Sequence, residues 1–241
     1  LVGAEMGIRD SYQRSDLLDR SLEMSFKAGD RLKAIYANER ALEFYVYIVE
    51  SLEEVGPEVD LLIEAREKIG ELCTTMGKYD TAEASYDSLL DIDSRFSLSP
   101  GAVARCFRKK GKIFEIQGDY DTALDYVRRS LIIFTRLEAE VQHSNVSLDL
   151  AKSRLLKSAI FANNNQLERA TINLVAIIQD YHRLTSINLN EANQMMREAH
   201  ELLGLVYEKT SQWNDAENIY KKIAQYPDCL LYTSPSPRDR G

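Results

Sequence analysis

The side chains best suited to nucleophilic or metal chemistry in this chain are three histidines and three cysteines: His143, His182 and His200, and Cys73, Cys106 and Cys229. Neither set is arranged for that chemistry. No histidine has a second histidine or a cysteine at metal-ligand spacing. The cysteines are odd in number and far apart, which fits a reduced, cytoplasmic protein without a disulfide framework. The phosphate-binding pattern G-x-x-x-x-G-K-[ST] is absent, as are G-x-G-x-x-G, G-x-S-x-G and H-E-x-x-H. Carboxylates are abundant, but glutamates on helices ordinarily form a solvated face. No catalytic residue, metal ligand or cofactor is therefore expected, and the chain reads as a non-enzyme.

One cluster is chemically distinctive. Arg105, Arg108, Lys109 and Lys112 are four of the five cations within eight residues of an otherwise acidic chain, whose formal net charge is −8. Arg105, Arg108 and Lys112 are spaced i, i+3 and i+7, so they share one face of a helix. The overall acidity argues against nucleic acid and anionic membrane as partners, since both attract basic surface. No run of about 18 apolar residues is present to span a bilayer. Neither nucleic acid nor a membrane is therefore expected as a partner.

The elements that position this cluster emerge from an internal repeat. A small residue is followed twelve positions later by alanine in four segments: Gly70 and Ala82, Gly111 and Ala123, Ser158 and Ala170, Gly204 and Ala216. Three before each alanine stands a large residue, Tyr79, Tyr120, Leu167 or Trp213. Four after it stands Tyr86, Val127, Leu174 or Tyr220. Small residues let two antiparallel helices approach closely, and the large ones fill the space between neighbours. Gly77 and Gly118, seven after the first glycine, fit a helix-ending turn. Asp80 with Glu83, and Asn214 with Glu217, read as capping boxes. Ser99-Pro100 reads as an N-cap followed by an N1 proline. Upstream, Ala41 and Tyr45 repeat the alanine–aromatic step, and Gly29-Asp30 reads as the turn before them.

This pattern resembles the tetratricopeptide repeat. The resemblance implies an all-α, right-handed superhelical solenoid of antiparallel helix pairs, about ten helices in all. The expected organisation is a poorly defined segment (1–15), a degenerate helical pair (16–56) and four repeats (about 57–98, 99–142, 146–187 and 188–228). Repeat spacings of 41, 47 and 46 residues exceed the usual ~34, so longer helices or connections must absorb the difference. Residues 229–239, CLLYTSPSPRD, resemble the translation of a transposase-type sequencing adapter, so 229–241 are expected to be non-native and the chain a fragment. More narrowly, residues 28–45 (AGDRLKAIYANERALEFY) and 104–131 (ARCFRKKGKIFEIQGDYDTALDYVRRSL) are similar to the repeat regions of STAND-type signalling ATPases. That similarity implies a regulatory arm of a larger signalling protein. The alternatives are a standalone adaptor, similar to kinesin-light-chain-like or polarity-type repeat proteins, and part of an enzyme with an unrecognised site.

In the tetratricopeptide fold the first helices of successive repeats line a concave surface. At their exposed positions stand Glu64, Glu67 and Glu71, then Arg105, Arg108 and Lys112, then Lys152, Leu155, Ala159 and Ala162, then Glu198, Glu201, Leu205 and Glu208. The bland reading of the first two sets is a ladder of ion pairs, which salt screening favours. The functional reading is a partner groove of Arg105, Arg108, Lys109, Lys112, Lys152, Leu155 and Ala159, taking an acidic peptide with an apolar anchor. The asparagine-rich heat-shock clamp of other such repeats is not matched. Cys73 stands where other repeats carry Phe114, Phe161 and Tyr207, so it is expected to be a small buried apolar residue. His200 is likewise expected to be packed in the core.

Overall fold

A computed structural model describes residues 2–55, 59–96, 98–140 and 145–224. Residues 225–241, with the adapter-like segment and Cys229, lie outside the described residues, as does His143. The described residues form eleven helices and no strand. The chain divides into two compact units, residues 1–98 and 99–241.

The first unit holds two helix pairs, α1 (Val2–Ala34) with α2 (Asn38–Val55), and α3 (Val59–Thr75) with α4 (Tyr79–Phe96). The second holds α5 (Pro100–Gln117) with α6 (Tyr120–Glu140), α7 (Asn145–Asn163) with α8 (Leu167–Gln179), a short α9 (Tyr181–Thr185), and α10 (Leu189–Lys209) with α11 (Trp213–Ile223).

One local rule builds every pair. The small residue of the first helix faces the large residue sixteen positions later in the second. A β-carbon on Gly70 would come within 2.4 Å of the Tyr86 ring, on Gly111 within 2.7 Å of Val127, and on Gly204 within 2.7 Å of Tyr220. In the α7–α8 pair Ser158 takes this place, fully buried, with its hydroxyl donating to the Arg154 carbonyl at 2.9 Å. The alanines twelve positions on (Ala41, Ala82, Ala123, Ala170 and Ala216) are all buried.

Gly29 belongs to this series and is not a turn. It lies inside α1, where a β-carbon would come within 2.9 Å of the Tyr45 ring. The turn falls seven residues later, at Tyr36. Positive φ recurs at that offset in all five pairs: Tyr36 (60°), Gly77 (73°), Gly118 (82°), Asn165 (57°) and Ser211 (59°). Each closes a Schellman motif, in which the next residue's N–H reaches back to the helix. Those bonds are Ala37 to Leu32, Lys78 to Cys73, Asp119 to Phe114, Gln166 to Phe161 and Gln212 to Tyr207, at 2.7–2.9 Å. Glycine supplies this conformation freely at two positions, and the paired backbone bonds impose it on tyrosine, asparagine and serine at the others.

The helix starts differ in part from expectation. Ser99 is an N-cap, its hydroxyl accepting from the Ala102 N–H at 3.2 Å, with proline at the first helical position. The Asn214–Glu217 capping box does not form. α11 starts at Trp213, so its N-cap is Gln212, which makes no side-chain cap bond. α4 likewise starts at Tyr79, placing Asp80 inside the first turn. In both cases the Schellman turn has already consumed the residue before the aromatic, which then opens the helix.

Longer repeats are accommodated by longer helices. α6 and α10 each run 21 residues, and α9 is inserted after α8. In the second unit Ala123, Val127, Ile160, Leu174, Met196 and Leu203 belong to one continuous core. His200 lies in α10, 5% exposed, and its Nδ1–H donates to the Met196 carbonyl at 2.8 Å. Burial lowers its pKa and so favours the neutral ring. Cys73 and Cys106 are buried, and burial pushes the Cys73 thiol up, away from reactive thiolate. In the first unit Asp30 accepts from both the Tyr45 hydroxyl and the Lys68 ammonium at 2.7 Å. Burial pushes its carboxyl up, but these two donors outweigh burial and hold it below the usual range.

Candidate functional site

The three first helices of the second unit, α5, α7 and α10, border a groove of about 600 Å³. α5 contributes Arg108, Lys109 and Lys112. α7 contributes Lys152, Leu155, Leu156 and Ala159. α10 closes the far side with Glu191, Gln194, Met195, Glu198, Glu201, Leu202 and Leu205. The register explains the convergence. Arg108, Leu155 and Glu201 each stand three before the small residue of their helix, and Lys112, Ala159 and Leu205 stand one after it.

Six of the seven residues singled out from the sequence thus line one groove. The exception is Arg105, whose guanidinium turns toward Asp149 of α7, 3.9 Å away. The α10 wall is the larger omission. Glu198, Glu201 and Leu205 occupy the right repeat positions, but nothing in their residue types joins them to the basic cluster. Glu191 and Gln194 come within range because α10 starts 15 residues before Gly204, whereas α5 starts 11 before Gly111.

The electrostatics of the groove are not those of a simple basic patch. Arg108 donates to Asp149 at 2.9 Å, both side chains being under a fifth exposed. Lys112 lies 2.6 Å from the buried Glu115, which also accepts from Asn163 at 2.7 Å. Lys152 bridges to Glu191 at 2.6 Å. Lys109 is engaged as well. On the α10 side, Glu198 accepts from the neutral Gln194 at 3.1 Å, and Glu201 lies 3.8 Å from Arg197. Between these charges runs an apolar bed, in which Leu205 is 50% exposed.

A second hollow lies on the first unit. Leu17, Met24 and Phe44 line it, with Leu17 and Met24 about two-thirds exposed or more. Among the described residues, no group of three histidine, cysteine or carboxylate side chains is placed to hold a metal ion. No helix among them is long and apolar enough to cross a membrane.

Paired antiparallel helices with a recurring small–alanine–large register define an all-α helical-repeat protein of the solenoid class. Residues 61–136, which run from within α3 to within α6, match the family model of the tetratricopeptide repeat. Those residues are tetratricopeptide-type repeats, and the described helices as a whole have a tetratricopeptide-like fold. Its fold is similar to that of BtubC (BKLC) from P. vanneervenii, at 19% identity and TM-score 0.66, over 98% of this chain and 91% of that one. It is similar to the apo form of RapI at 16% identity and TM-score 0.67, over 87% of this chain and 71% of that one. It is also similar to a Podosopora anserina putative kinesin light chain with nearly identical TPR-like repeats. That likeness has 12% identity and TM-score 0.61, over 88% of this chain and 97% of that one. At such identities the likeness concerns the fold. No curated protein matches the chain.

Proposed function

We propose that this chain is a non-catalytic protein-interaction module that holds a peptide segment of a partner in the groove between α5, α7 and α10. The observation that carries this reading is the groove itself. Three successive first helices present an open channel of about 600 Å³ whose bed is apolar and whose rims are charged. Apolar anchors in such a bed supply affinity, while rim charges supply selectivity and register. The fold supports the reading, since paired-helix repeats expose one continuous face for recognition. In a larger signalling protein the module would serve as a scaffold or regulatory arm, and in a standalone adaptor as the partner-capturing face. The groove would do the same work in both.

The test is retention of fluorescein-labelled random short peptides, read by fluorescence polarisation. Leu155→Glu and Leu205→Glu should each weaken retention by roughly ten-fold or more, because each puts an unpaired charge where an apolar anchor sits. Retention equal to that of the parent chain in both variants would mean that the groove is not the site.

A further inference from the structure

The groove's charges select the sign of its ligand, an inference that rests on the peptide-binding reading above. A count of cationic side chains suggests an acidic partner. Counting partners reverses this. Arg108, Lys112 and Lys152 each have a carboxylate within 2.9 Å, supplied by Asp149, Glu115 and Glu191. Asp149 and Glu115 do not themselves line the groove. At these distances their charge offsets that of the cations they hold.

Apart from Glu191, the acidic wall has no such close partner among the described residues. Glu198 receives a hydrogen bond from an uncharged amide, and Glu201 faces Arg197 at 3.8 Å, beyond hydrogen-bonding distance. The two lie i, i+3 on α10 and so face the same way. Both are exposed, and Leu205 stands one turn on from Glu201 as the exposed apolar member of the same face.

We infer that the occupant is a peptide carrying an apolar anchor next to lysine or arginine. Its apolar side chain rests on the bed at Leu155, Ala159 and Leu205, and its cation faces Glu198 and Glu201. An acidic peptide meets cations whose charge Asp149, Glu115 and Glu191 already offset at 2.9 Å or less. A basic one meets Glu198 and Glu201, which no cation among the described residues approaches closer than 3.8 Å.

Three synthetic labelled peptide pools test this. They share the same apolar positions and carry lysine and arginine, aspartate and glutamate, or glutamine at the remaining ones. Polarisation titrations against the full chain should give the basic pool a roughly three- to ten-fold advantage over the glutamine pool, the effect of two exposed charge contacts. That advantage should shrink as salt rises. It should vanish in the double variant Glu198→Gln/Glu201→Gln, while Leu205→Glu weakens the glutamine pool. A preference for the acidic pool would overturn the inference and leave the peptide-binding reading intact. So would equal retention of all three pools, or a basic advantage that survives the double variant. Absence of retention for every pool, or glutamine-pool retention indifferent to Leu205→Glu, would overturn both.

Discussion

Gly111→Leu should lower the thermal midpoint by roughly 5–10 °C, corresponding to about 2–3 kcal/mol for a chain of this size. A β-carbon at this position would lie 2.7 Å from Val127 Cγ2 and 3.2 Å from the Ala123 carbonyl oxygen. Val127 and Ala123 are both fully buried. The carbonyl belongs to the backbone of α6 and cannot swing aside, so the two helices must separate. Overpacking of this kind costs about 3 kcal/mol at the upper end of its usual range, and leucine's better helix propensity returns less than 1 kcal/mol of that. A calorimetric midpoint equal to that of the parent chain would contradict the register that places Gly111 against α6.

Tyr86→Ala should cost about 3–5 kcal/mol in urea unfolding, the range for removing a buried aromatic ring. Tyr86 is 1% exposed, and its ring occupies the place that a side chain at Gly70 would otherwise fill. The two positions are therefore one structural decision. Gly70→Leu alone drives a side chain into the ring. With Tyr86→Ala the same leucine enters the vacated space. The double variant should be less destabilised than the sum of the singles, by an interaction of roughly 1 kcal/mol or more. Additive losses would mean that residues sixteen apart do not face each other across the pair.

That register was legible in the sequence because it rests on residue size. Only glycine, alanine or serine fits between two close helices, and the bulky residue opposite is equally constrained. The turns were legible only where glycine marks them. Tyr36, Asn165 and Ser211 adopt the same positive φ with nothing in their residue types to announce it, because the Schellman bonds fix the conformation. Gly29-Asp30 misled for the converse reason: glycine beside aspartate looks like a turn, yet this glycine serves helix packing inside α1. Asn214 misled because the preceding turn sets where α11 begins.

The groove was partly legible. Six of the seven residues converge on it, and two pairs of them, Arg108 with Leu155 and Lys112 with Ala159, do so at equal offsets in successive first helices. Its charge balance was not legible. Asp149 pairs with Arg108 across 41 residues and Glu191 with Lys152 across 39, so these carboxylates neutralise the cations only once the helices stack. The α10 wall was hidden by the extra length of that helix, which changes which residues reach the channel.

Whether α5, α7 and α10 hold the partner is read from the backbone amide resonances of the isotope-labelled chain as it is titrated with the best-retained peptide pool. The largest shifts are predicted at Lys109, Leu155, Ala159, Glu198 and Leu205. Shifts confined to the first unit around Leu17 and Met24, with those five residues unmoved, would contradict that placement.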